Sequence, residues 1–504
     1  MGMTRAKYDA VVNEIKSKKL DVSERTIPYC GGTLKLLYIR QLVDKAALQE
    51  SVIKPLVQYC AAGKTPLKAQ CVMESVIYAD SCQLESDYAR VEYHVLGGMV
   101  VVLFSNDPHY IVANLREIPQ RAVSPPEILY SLRAPKDAFV ESLDTNLSLI
   151  RYRLKDKNMR IEYMDVGERT KDRVAVVYIE DIANSTAVNE IKKRIASINV
   201  SGIYESGELA AAILNNQKEM FNQVGILERS DNAVEDLLEG KVLAMVDGSP
   251  LVLFAPVVFA EGLAACDDRY ENSWFVVFMK ILRYIAIYIA FTGTAYYLAL
   301  ESYYPDTLSP TYIVQFAIMR SRAPFNAFIA VLMVEFMVEL MREAMLRVPK
   351  KIGPTVGIVG GIIIGQAAVS SGFFTPILLI ITATSFLASF AIPDFTMMNT
   401  FRVLKYLVIV LTGTFGFYGM TLSHVFILAK MVSVNSFGVP FMAPWAPFNR
   451  YDFWRTLTFK KNYTPWRKQY LRNKDNTQMP TGSDQPPNAP PRDTYHTNLP
   501  PSDG

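Results

Sequence analysis

Two carboxylate pairs are the residues whose type and spacing could support acid–base chemistry in this chain. Asp267 and Asp268 are adjacent, and Glu335 and Glu339 lie one helical turn apart in an apolar stretch. Neighbouring carboxylates can separate their pKa values and so divide the roles of acid and base between them. For Asp267 and Asp268 the sequence favours a solvated loop instead. Glu335 and Glu339 share one face of a predicted helix, where a lipid-facing position would be costly.

The role of the two glutamates depends on whether basic side chains neutralise them. Arg342 and Arg347 follow on the same predicted helix and are the obvious partners. If those ion pairs form, Glu335 and Glu339 are architectural. If they do not form, the glutamates belong at the mouth of an ion path. The sequence leaves both alternatives open.

No motif of a common enzyme class is present in the sequence. It lacks the GxxxxGK[ST] phosphate loop, a GxGxxG turn after a strand, and the HExxH and GxSxG motifs. Its 4 histidines are scattered, and its 5 cysteines show no CxxC spacing. The net charge of +3 does not indicate a nucleic-acid-binding protein. We therefore expect no enzyme activity, no metal site, no cofactor and no nucleic-acid partner.

The composition indicates that part of the chain lies in a membrane. Residues of the apolar set make up 50% of the 504 residues, and the mean hydropathy is +0.13, which is high for a soluble protein. Stretches apolar and long enough to span a bilayer are predicted at 275–300, 354–373, 377–393 and 403–429. The segment 323–341 is predicted to be re-entrant or spanning, so the chain has four or five spans.

The distribution of charge constrains the number of spans. The charged N-terminus lacks the apolar core of a secretory signal, and eight Lys or Arg face a single Asp between residues 450 and 474. Both ends are therefore predicted to be cytoplasmic, which requires an even number of crossings and favours four. The basic residues Arg342, Arg347, Lys350 and Lys351 conflict with that count, because they also favour the cytoplasmic side.

The predicted fold is a two-lobed α/β soluble N-terminal region followed by an α-helical polytopic membrane domain. Short β-like runs alternate with helical patterns in the N-terminal region, and KVLAMVDGSPLVLFAP predicts two strands joined at an Asp-Gly turn. The predicted parts are a first cytoplasmic lobe at 1–118, a second at 119–265, a membrane domain at 266–435, a basic cytoplasmic segment at 436–476 and a disordered Pro-rich tail at 477–504.

Small residues recur along one face of the segment GIVGGIIIGQAAVSSG, which begins at Gly357. Such a face permits close contact between helices. The contact can be with a neighbour in the same chain, or between identical subunits around an axis that leaves the intervening larger residues near a lumen. The pore or gate candidates are therefore Gly357, Gly361, Ile362, Gly365, Gln366, Val369, Glu335 and Glu339.

Several blocks of sequence, in order from about residue 121 to 457, carry a resemblance to a known family. They include PPEILYSLRAPKDAFVESLDTNLSLIRYRLKD, VGERTKDRVAVVYIEDIA, REAMLRVPKKIGPTVGIVGGIIIGQAAVSSG, AIPDFTMMNTFRVLKYLVIV and PFMAPWAPFNRYDFWRTL. The chain resembles the A subunits of bacterial spore germinant receptors, the GerA family. Ala134 and the run Glu228-Arg229-Ser230 depart mildly from the family pattern. The homologous stage V sporulation protein AF is the close alternative, and REAMLRVP favours the receptor subunit.

The resemblance implies a multi-pass protein of the spore inner membrane, with its N-terminal domain and its tail on the cytoplasmic (core) side. The implied partners are a receptor B subunit, a lipoprotein C subunit, further copies of the chain and membrane lipid. The implied function is a homo-oligomeric, nutrient-gated channel for monovalent cations that triggers germination. The alternative is a non-conducting membrane scaffold that recruits the partner subunits.

Polar residues are dense in the signature region of this family. We expect them to form hydrogen bonds between lobes or between subunits, in preference to binding a ligand. They are Arg133, Glu141, Asn146, Arg151 and Arg153.

Overall fold

The computed structural model describes most of the chain. The described residues are 21–29, 32–61, 68–116, 135, 137–214, 219–307, 309–321, 323–348, 361, 365–458, 467–471 and 473. The candidate residues Arg133, Gly357 and Ile362 lie outside them, as do most of the predicted 354–373 span and the whole predicted tail at 477–504.

The first lobe is a five-stranded antiparallel sheet with helices on both faces. Its strand order is β1-β2-β4-β5-β3. The strands are β1 (Ser23–Tyr29), β2 (Gly32–Tyr38), β3 (Cys82–Glu85), β4 (Val100–Phe104) and β5 (Tyr110–Ala113). The helices are α1, which runs through Lys45–Ala47, a wider π turn at Leu48–Ile53 and Lys54–Ala61, then α2 (Ala69–Ser75) and α3 (Val91–Leu96).

The second lobe repeats this topology, which the sequence alone does not reveal. Its strand order, β6-β7-β9-β10-β8, matches that of the first lobe position for position. The strands are β6 (Met159–Val166), β7 (Asp172–Ile179), β8 (Gly225–Leu227), β9 (Val242–Val246) and β10 (Val252–Ala255). The helices are α4 (Leu143–Arg153), which precedes the repeat, α5 (Ser185–Ala196), α6 (Ser206–Ala212) and α7 (Ser230–Glu239).

The central strands of both sheets are buried on both faces. In β4, Val100, Val102 and Phe104 pack with α1 and α2, whereas Val101 and Leu103 pack with α3. A strand between two helical layers needs apolar side chains at successive positions, which explains the unbroken run VVVLF. The predicted Asp-Gly turn is also confirmed, because β9 and β10 pair in antiparallel register on either side of it.

The C-terminal half is a helical bundle attached to the second lobe. Its helices are α8 (Phe259–Gly262), α9 (Ser273–Tyr303), α10 (Pro310–Ser321), α11 (Ala327–Arg347), α12 (Pro376–Ser389), α13 (Phe395–Ser433) and α14 (Arg450–Thr458). A short ribbon of β11 (Asn435–Ser436) and β12 (Val439–Pro440) follows α13. Among the described residues, α9 and α13 are long and apolar enough to cross a membrane by length and composition.

Contacts of α9 define the two ends of the bundle. Near its start Arg283 pairs with Asp268 beside the second lobe, and at its end the Tyr303 hydroxyl donates to the carbonyl of Gly413 at 2.6 Å. We name these the lobe end and the distal end. At the distal end, Tyr297 contacts Thr375, the residue before α12, at 3.1 Å.

α11 and α12 run in the opposite direction to α9. Near the start of α11, a side chain at Gly413 would overlap the ring of Phe328, which places that start at the distal end. Near its other end, Arg342 contacts Ser389 at the end of α12. The chain therefore reaches the lobe end at residue 347 and is at the distal end again at residue 375.

α13 is a hairpin of two limbs, 395–415 and 417–433. Gly416 separates them with φ 62° and ψ −143°, a conformation that favours glycine. The ring of Phe291 lies 5.6 Å from that of Phe401 and 5.0 Å from that of His424. A straight helix would hold residues 401 and 424 about 35 Å apart. The stretch 403–429, predicted as one span, is therefore two antiparallel limbs in the structure.

Candidate functional site

Charged side chains meet inside the bundle between its apolar layers. Glu335 and Glu339 project from α11 toward the 395–415 limb of α13. Glu335 Oε1 lies 2.6 Å from Lys405 Nζ, and Glu339 Oε1 lies 2.7 Å from Arg402 Nε. The first pair is buried and the second is about a quarter exposed. We name these four residues and Arg342 the charge layer.

The charge layer also binds a third helix. Lys405 Nζ donates to Ser385 Oγ of α12 at 2.8 Å, and the Tyr406 hydroxyl donates to the backbone carbonyl of Glu335 at 3.3 Å. Lys405 thus links the carboxylate of α11 to the hydroxyl of α12. The charge layer holds together α11, α12 and one limb of α13.

The glutamates are paired, but not with the arginines that the sequence suggested. Arg347 pairs with Glu343 one turn away on the exposed side of α11. Arg342 stacks over the rings of Phe386 and Phe390. α11 and the 395–415 limb run antiparallel, so Lys405 and Arg402 of the limb face Glu335 and Glu339. Arg342 and Arg347 lie further along α11 and do not face the glutamates.

A small cavity adjoins Arg342. It holds about 20 Å³ of water-accessible space and is lined by charge-layer residues, by Ser385 and Ser389 of α12, and by aromatic side chains that include Phe386 and Tyr406. Arg342 is 8% exposed, and its Nε and Nη1 have no hydrogen-bond partner among the described residues. Its Nη2 is 3.4 Å from Ser389 Oγ. This guanidinium is buried with most of its donor capacity unused.

The described residues of the predicted glycine face, Gly361 and Gly365–Gly372, do not belong to the charge layer. A side chain added at Gly361 or Gly365 would meet no described atom within 4 Å. Gln366 and Val369 are exposed, and only Ala368 of this stretch packs against the bundle core among the described residues. No described residue covers Gly361 or Gly365.

The signature residues make contacts mainly inside the second lobe. The Asn146 side chain accepts from the Val140 amide at 2.8 Å and donates to its carbonyl at 2.5 Å. Arg153 forms a bidentate pair with Asp137 at 2.8 and 2.7 Å. Ser230, which stands where the family pattern differs, donates to the same carboxylate at 2.6 Å.

Two other signature residues behave differently from these. Arg151 is buried and reaches Asp21 of the first lobe at 3.5 Å, which is a contact between lobes. The Glu141 side chain is exposed, and its backbone carbonyl accepts from the amide of Gly248 at 2.8 Å. The expected contact between lobes is therefore present at Arg151, while Glu141 contributes its backbone to the turn between β9 and β10.

Asp268 is a structural carboxylate and not part of a solvated loop. It is buried, accepts from the Ala265 amide at 3.0 Å, and forms two hydrogen bonds with Arg283 at 2.5 and 2.9 Å. Arg283 also donates to the Leu263 carbonyl at 3.2 Å. The pairing arises because α9 begins directly beneath the second lobe and its third turn faces back toward residue 268.

A second network of ion pairs, not predicted from the sequence, joins the segment around Lys468 to the second lobe. Lys468 Nζ lies 2.5 Å from Glu239 Oε2 and 2.7 Å from Glu261 Oε1, and Lys241 Nζ lies 2.9 Å from Glu261 Oε2. The Tyr470 hydroxyl donates to Glu261 at 2.8 Å. We name residues 467–471 and 473 the C-terminal clip. The clip is therefore joined by ion pairs to Glu239 of α7 and Glu261 of α8.

The charges in this network stabilise one another. Burial favours the neutral form of Glu261, yet Lys241 and Lys468 hold the pKa of its carboxyl well below the usual range. Burial likewise opposes the charge on Lys468, but Glu239 and Glu261 raise its pKa. Both groups are therefore charged at neutral pH, as an ion-paired junction requires.

The sequence carried only a partial signal for this network. Acidic residues are dense along SDNAVEDLLEGK, which is unusual for a helix whose face is buried. Lys468, however, is more than 200 positions away from Glu239 and Glu261. Arg467 and Lys468, the described basic residues near the end of the predicted basic segment, are buried.

Comparison with known proteins identifies similar chains over almost this whole length. A family model described as Bacillus/Clostridium GerA spore germination protein matches residues 9–474. Spore germination protein KA of Bacillus subtilis (strain 168) is 30% identical over 441 residues, covering 88% of this chain and 79% of that protein. Spore germination protein GerLA of Bacillus cereus is 32% identical over 464 residues, covering 91% of this chain and 94% of that protein.

A solved structure is also similar to part of the chain. It is the crystal structure of the N-terminal domain of the A subunit of the Bacillus megaterium spore germinant receptor GerK3. The match covers 49% of this chain and 94% of that domain, with 22% identity and a TM-score of 0.38.

Proposed function

The chain belongs to the GerA family of spore germination proteins, and from this premise we propose that it is the A subunit of a nutrient-sensing germinant receptor. In this proposal the bundle crosses the spore inner membrane, and copies of the chain form a ring that conducts monovalent cations. A B subunit and a lipoprotein C subunit complete the receptor. Opening of the ring starts germination.

The chain directions in the bundle support six membrane passes. α9, α11, α12 and the two limbs of α13 each run between the two ends of the bundle, and the chain lies at the lobe end at residue 347 and at the distal end at residue 375. α11 and the limbs 395–415 and 417–433 measure about 31, 31 and 26 Å at the usual rise per residue. The hydrocarbon core of a bilayer is about 30 Å thick. Six passes keep both lobes and the C-terminal clip on one side.

Six passes also remove the conflict between an even number of crossings and the basic residues near the end of α11. If α11 crosses fully and α13 crosses twice, the number of passes is even, and Arg342 and Arg347 near the end of α11 lie toward the lobe side. Exposed aromatic side chains recur at three-residue spacing near the same end of the bundle, as in the aromatic belts of membrane proteins. They are Trp445, Phe448, Tyr451 and Trp454.

The charge layer is the observation that most directly supports the proposal of a gated channel. Ionisable side chains inside a membrane bundle are costly and mark functional positions. The pairs Glu335–Lys405 and Glu339–Arg402 connect α11 to a limb of α13 and so form a lock that holds these helices together. Separation of the helices would free two carboxylates and two cations. Nutrient binding elsewhere in the receptor then biases an existing equilibrium between paired and separated states.

The uncovered glycine face supports assembly of several copies. Gly361 and Gly365 leave room for the backbone of a neighbouring helix, and the adjoining Gln366 and Val369 are exposed. Small residues permit close packing of helices in lipid. In the ring, this face packs between subunits and lines the path near its axis. Gly357 and Ile362 lie outside the described residues and stay candidates from their spacing in the sequence.

The junction beneath the second lobe supports transmission between the lobes and the bundle. The Asp268–Arg283 pair and the C-terminal clip attach the second lobe to the first and last parts of the bundle. The Ser436 hydroxyl, which follows α13, accepts from the Val257 amide at 2.9 Å and donates to the Gln223 carbonyl at 2.8 Å. A movement of the lobe therefore reaches α9 and α13 through buried contacts.

Potassium release from spores tests the proposed lock. The variants are Glu335→Gln and Lys405→Met, each measured with and without nutrient at matched receptor abundance. Removing one partner of a buried ion pair costs about 3–5 kcal/mol, so each single variant should release potassium without nutrient. The double variant removes both charges and should release less than either single variant.

Two further variants separate the channel from the scaffold. Glu343→Gln breaks an exposed pair on the outer side of α11 and should leave resting release unchanged. Gly361→Leu places a large side chain on the uncovered face and should alter ion release through the ring. If all variants assemble at normal abundance and none changes release, the charge layer is architectural and the scaffold function is supported instead.

A further inference from the structure

Arg342 lies in the charge layer but takes no part in the two ion pairs of the proposed lock. It is 8% exposed, and two of its three guanidinium nitrogens, Nε and Nη1, have no hydrogen-bond partner among the described residues. The third lies 3.4 Å from Ser389 Oγ, a long contact. A guanidinium carries five N–H donors, and buried polar groups are usually satisfied. The stacking on Phe386, with Cζ 4.8 Å from the ring centre, uses the face of the guanidinium and not its donors.

The charges of the charge layer do not balance. Its two carboxylates pair with Lys405 and Arg402 at 2.6 and 2.7 Å, so the layer holds three cations against two carboxylates, and Arg342 is the cation that forms no ion pair among the described residues. The sequence that follows α11 at 349–364 contains two lysines and no Asp or Glu. An excess positive charge inside the bundle is unfavourable. A bound anion would balance it.

The size of the cavity limits which anion can enter. Its water-accessible space is about 20 Å³, and a cavity needs about 10–15 Å³ to hold one water molecule. One monoatomic ion fits this space, whereas gluconate and other large polyatomic anions do not. Glu339 also lines the cavity, and its Oε2 has no hydrogen-bond partner in the described part of the chain. Its charge is already neutralised by Arg402, so the summed charge around the cavity remains positive.

We propose that Arg342 holds a single small monovalent anion, of the size of chloride, in this cavity. Nε and Nη1 donate to the anion, and the aromatic side chains that line the cavity, Phe386 of α12 with Phe401 and Tyr406 of α13, shield it from water. A bridging water between Arg342 and Glu339 would satisfy the same atoms but would leave the charge uncompensated. The proposal concerns binding alone and does not depend on whether the chain conducts ions.

The experiment compares chloride with larger anions on the purified full-length protein in detergent micelles. Thermal unfolding is followed in sodium chloride, sodium acetate and sodium gluconate at equal ionic strength, and binding is followed by the broadening of the chloride NMR line. Wild-type protein should unfold at a higher temperature in chloride than in either carboxylate salt. Arg342→Gln should lose this difference and bind chloride at least about tenfold more weakly, because it loses charge-assisted hydrogen bonds.

Arg347→Gln is the matched control, because Arg347 lies on the same helix and its side chain is 81% exposed. It should keep the chloride effect in full. Equal unfolding temperatures of the wild type in all three salts would overturn the proposal without reference to any variant, and they are what a bridging water predicts. A chloride effect that persists in Arg342→Gln would also overturn it.

Discussion

Replacing Lys468 by methionine would test the C-terminal clip at its centre. Lys468 Nζ lies 2.5 Å from Glu239 Oε2 and 2.7 Å from Glu261 Oε1, and none of the three side chains is more than 12% exposed. Methionine retains an unbranched apolar side chain but removes the charge. The two carboxylates would then have Lys241 as their remaining close cation, at 2.9 Å from Glu261. The variant therefore leaves negative charge uncompensated in the junction.

The expected loss of stability in Lys468→Met depends on the burial of the ion pair and not on its length. Removing one partner of a buried ion pair costs about 3–5 kcal/mol. Lys54 and Glu50 form a pair of similar length, 2.8 Å, but both side chains are more than half exposed. An exposed pair of this kind contributes about 0.3–0.5 kcal/mol. Lys54→Met is thus the matched control, and the two variants should differ by at least about 2.5 kcal/mol.

Hydrogen exchange of the clip amides is the appropriate assay. The amides of Gln469 and Tyr470 donate to the Asp452 carboxylate at 3.1 Å each, so they report whether the clip is docked. In Lys468→Met they should exchange faster by about a hundredfold or more. Adding Glu261→Gln should recover part of the protection, because it removes one uncompensated charge. Exchange within about threefold of Lys54→Met would refute the assignment of Lys468 as the main fastening of the clip.

Two further outcomes are expected. Because the pKa of Glu261 is lower in the folded protein than its ordinary value, its contribution to stability is fully present above about pH 4.3 and is lost progressively as the pH falls from there toward the folded value. Denaturant unfolding from pH 7 to 3 should show the first part of this loss, and Glu261→Gln should show a shallower pH dependence. Gly416→Ala should destabilise the hairpin of α13 by about 1–3 kcal/mol, because φ is 62° there and a side chain would lie 3.0 Å from the ring of Tyr303. Gly361→Ala, where a side chain meets no described atom within 4 Å, should leave the unfolding temperature of the bundle almost unchanged and is the control.

Much of the N-terminal fold could be predicted from sequence periodicity. The apolar runs of β4 and β9 and the turn between β9 and β10 were recognisable because strands and turns depend on residues that are close in sequence. The repeated topology of the two lobes was not recognisable. Different apolar residues can fill equivalent positions in two cores, so an internal repeat of fold need not leave a repeat of sequence.

The candidate site was predicted in part. Glu335 and Glu339 stood out because a charge in an apolar helix is visible without any structure. Their partners did not stand out, since Lys405 and Arg402 lie about 65 positions away and face them only after α13 has folded beside α11. Asp268 was read as solvated for the same reason. Its partner Arg283 lies in the predicted first span, and only the start of α9 beneath the lobe brings the two together.

Composition and local pattern, by themselves, determined that this chain has α/β lobes followed by apolar helices, and ordered blocks of sequence determined its family. These properties depend on neighbouring residues and on the solvent that each segment prefers. The tertiary structure alone decided that α13 reverses at Gly416, that the glutamates pair across helices, and that Lys468 closes the junction. Each of those depends on contacts between distant segments, and their geometry is set by how the helices pack and not by any one helix.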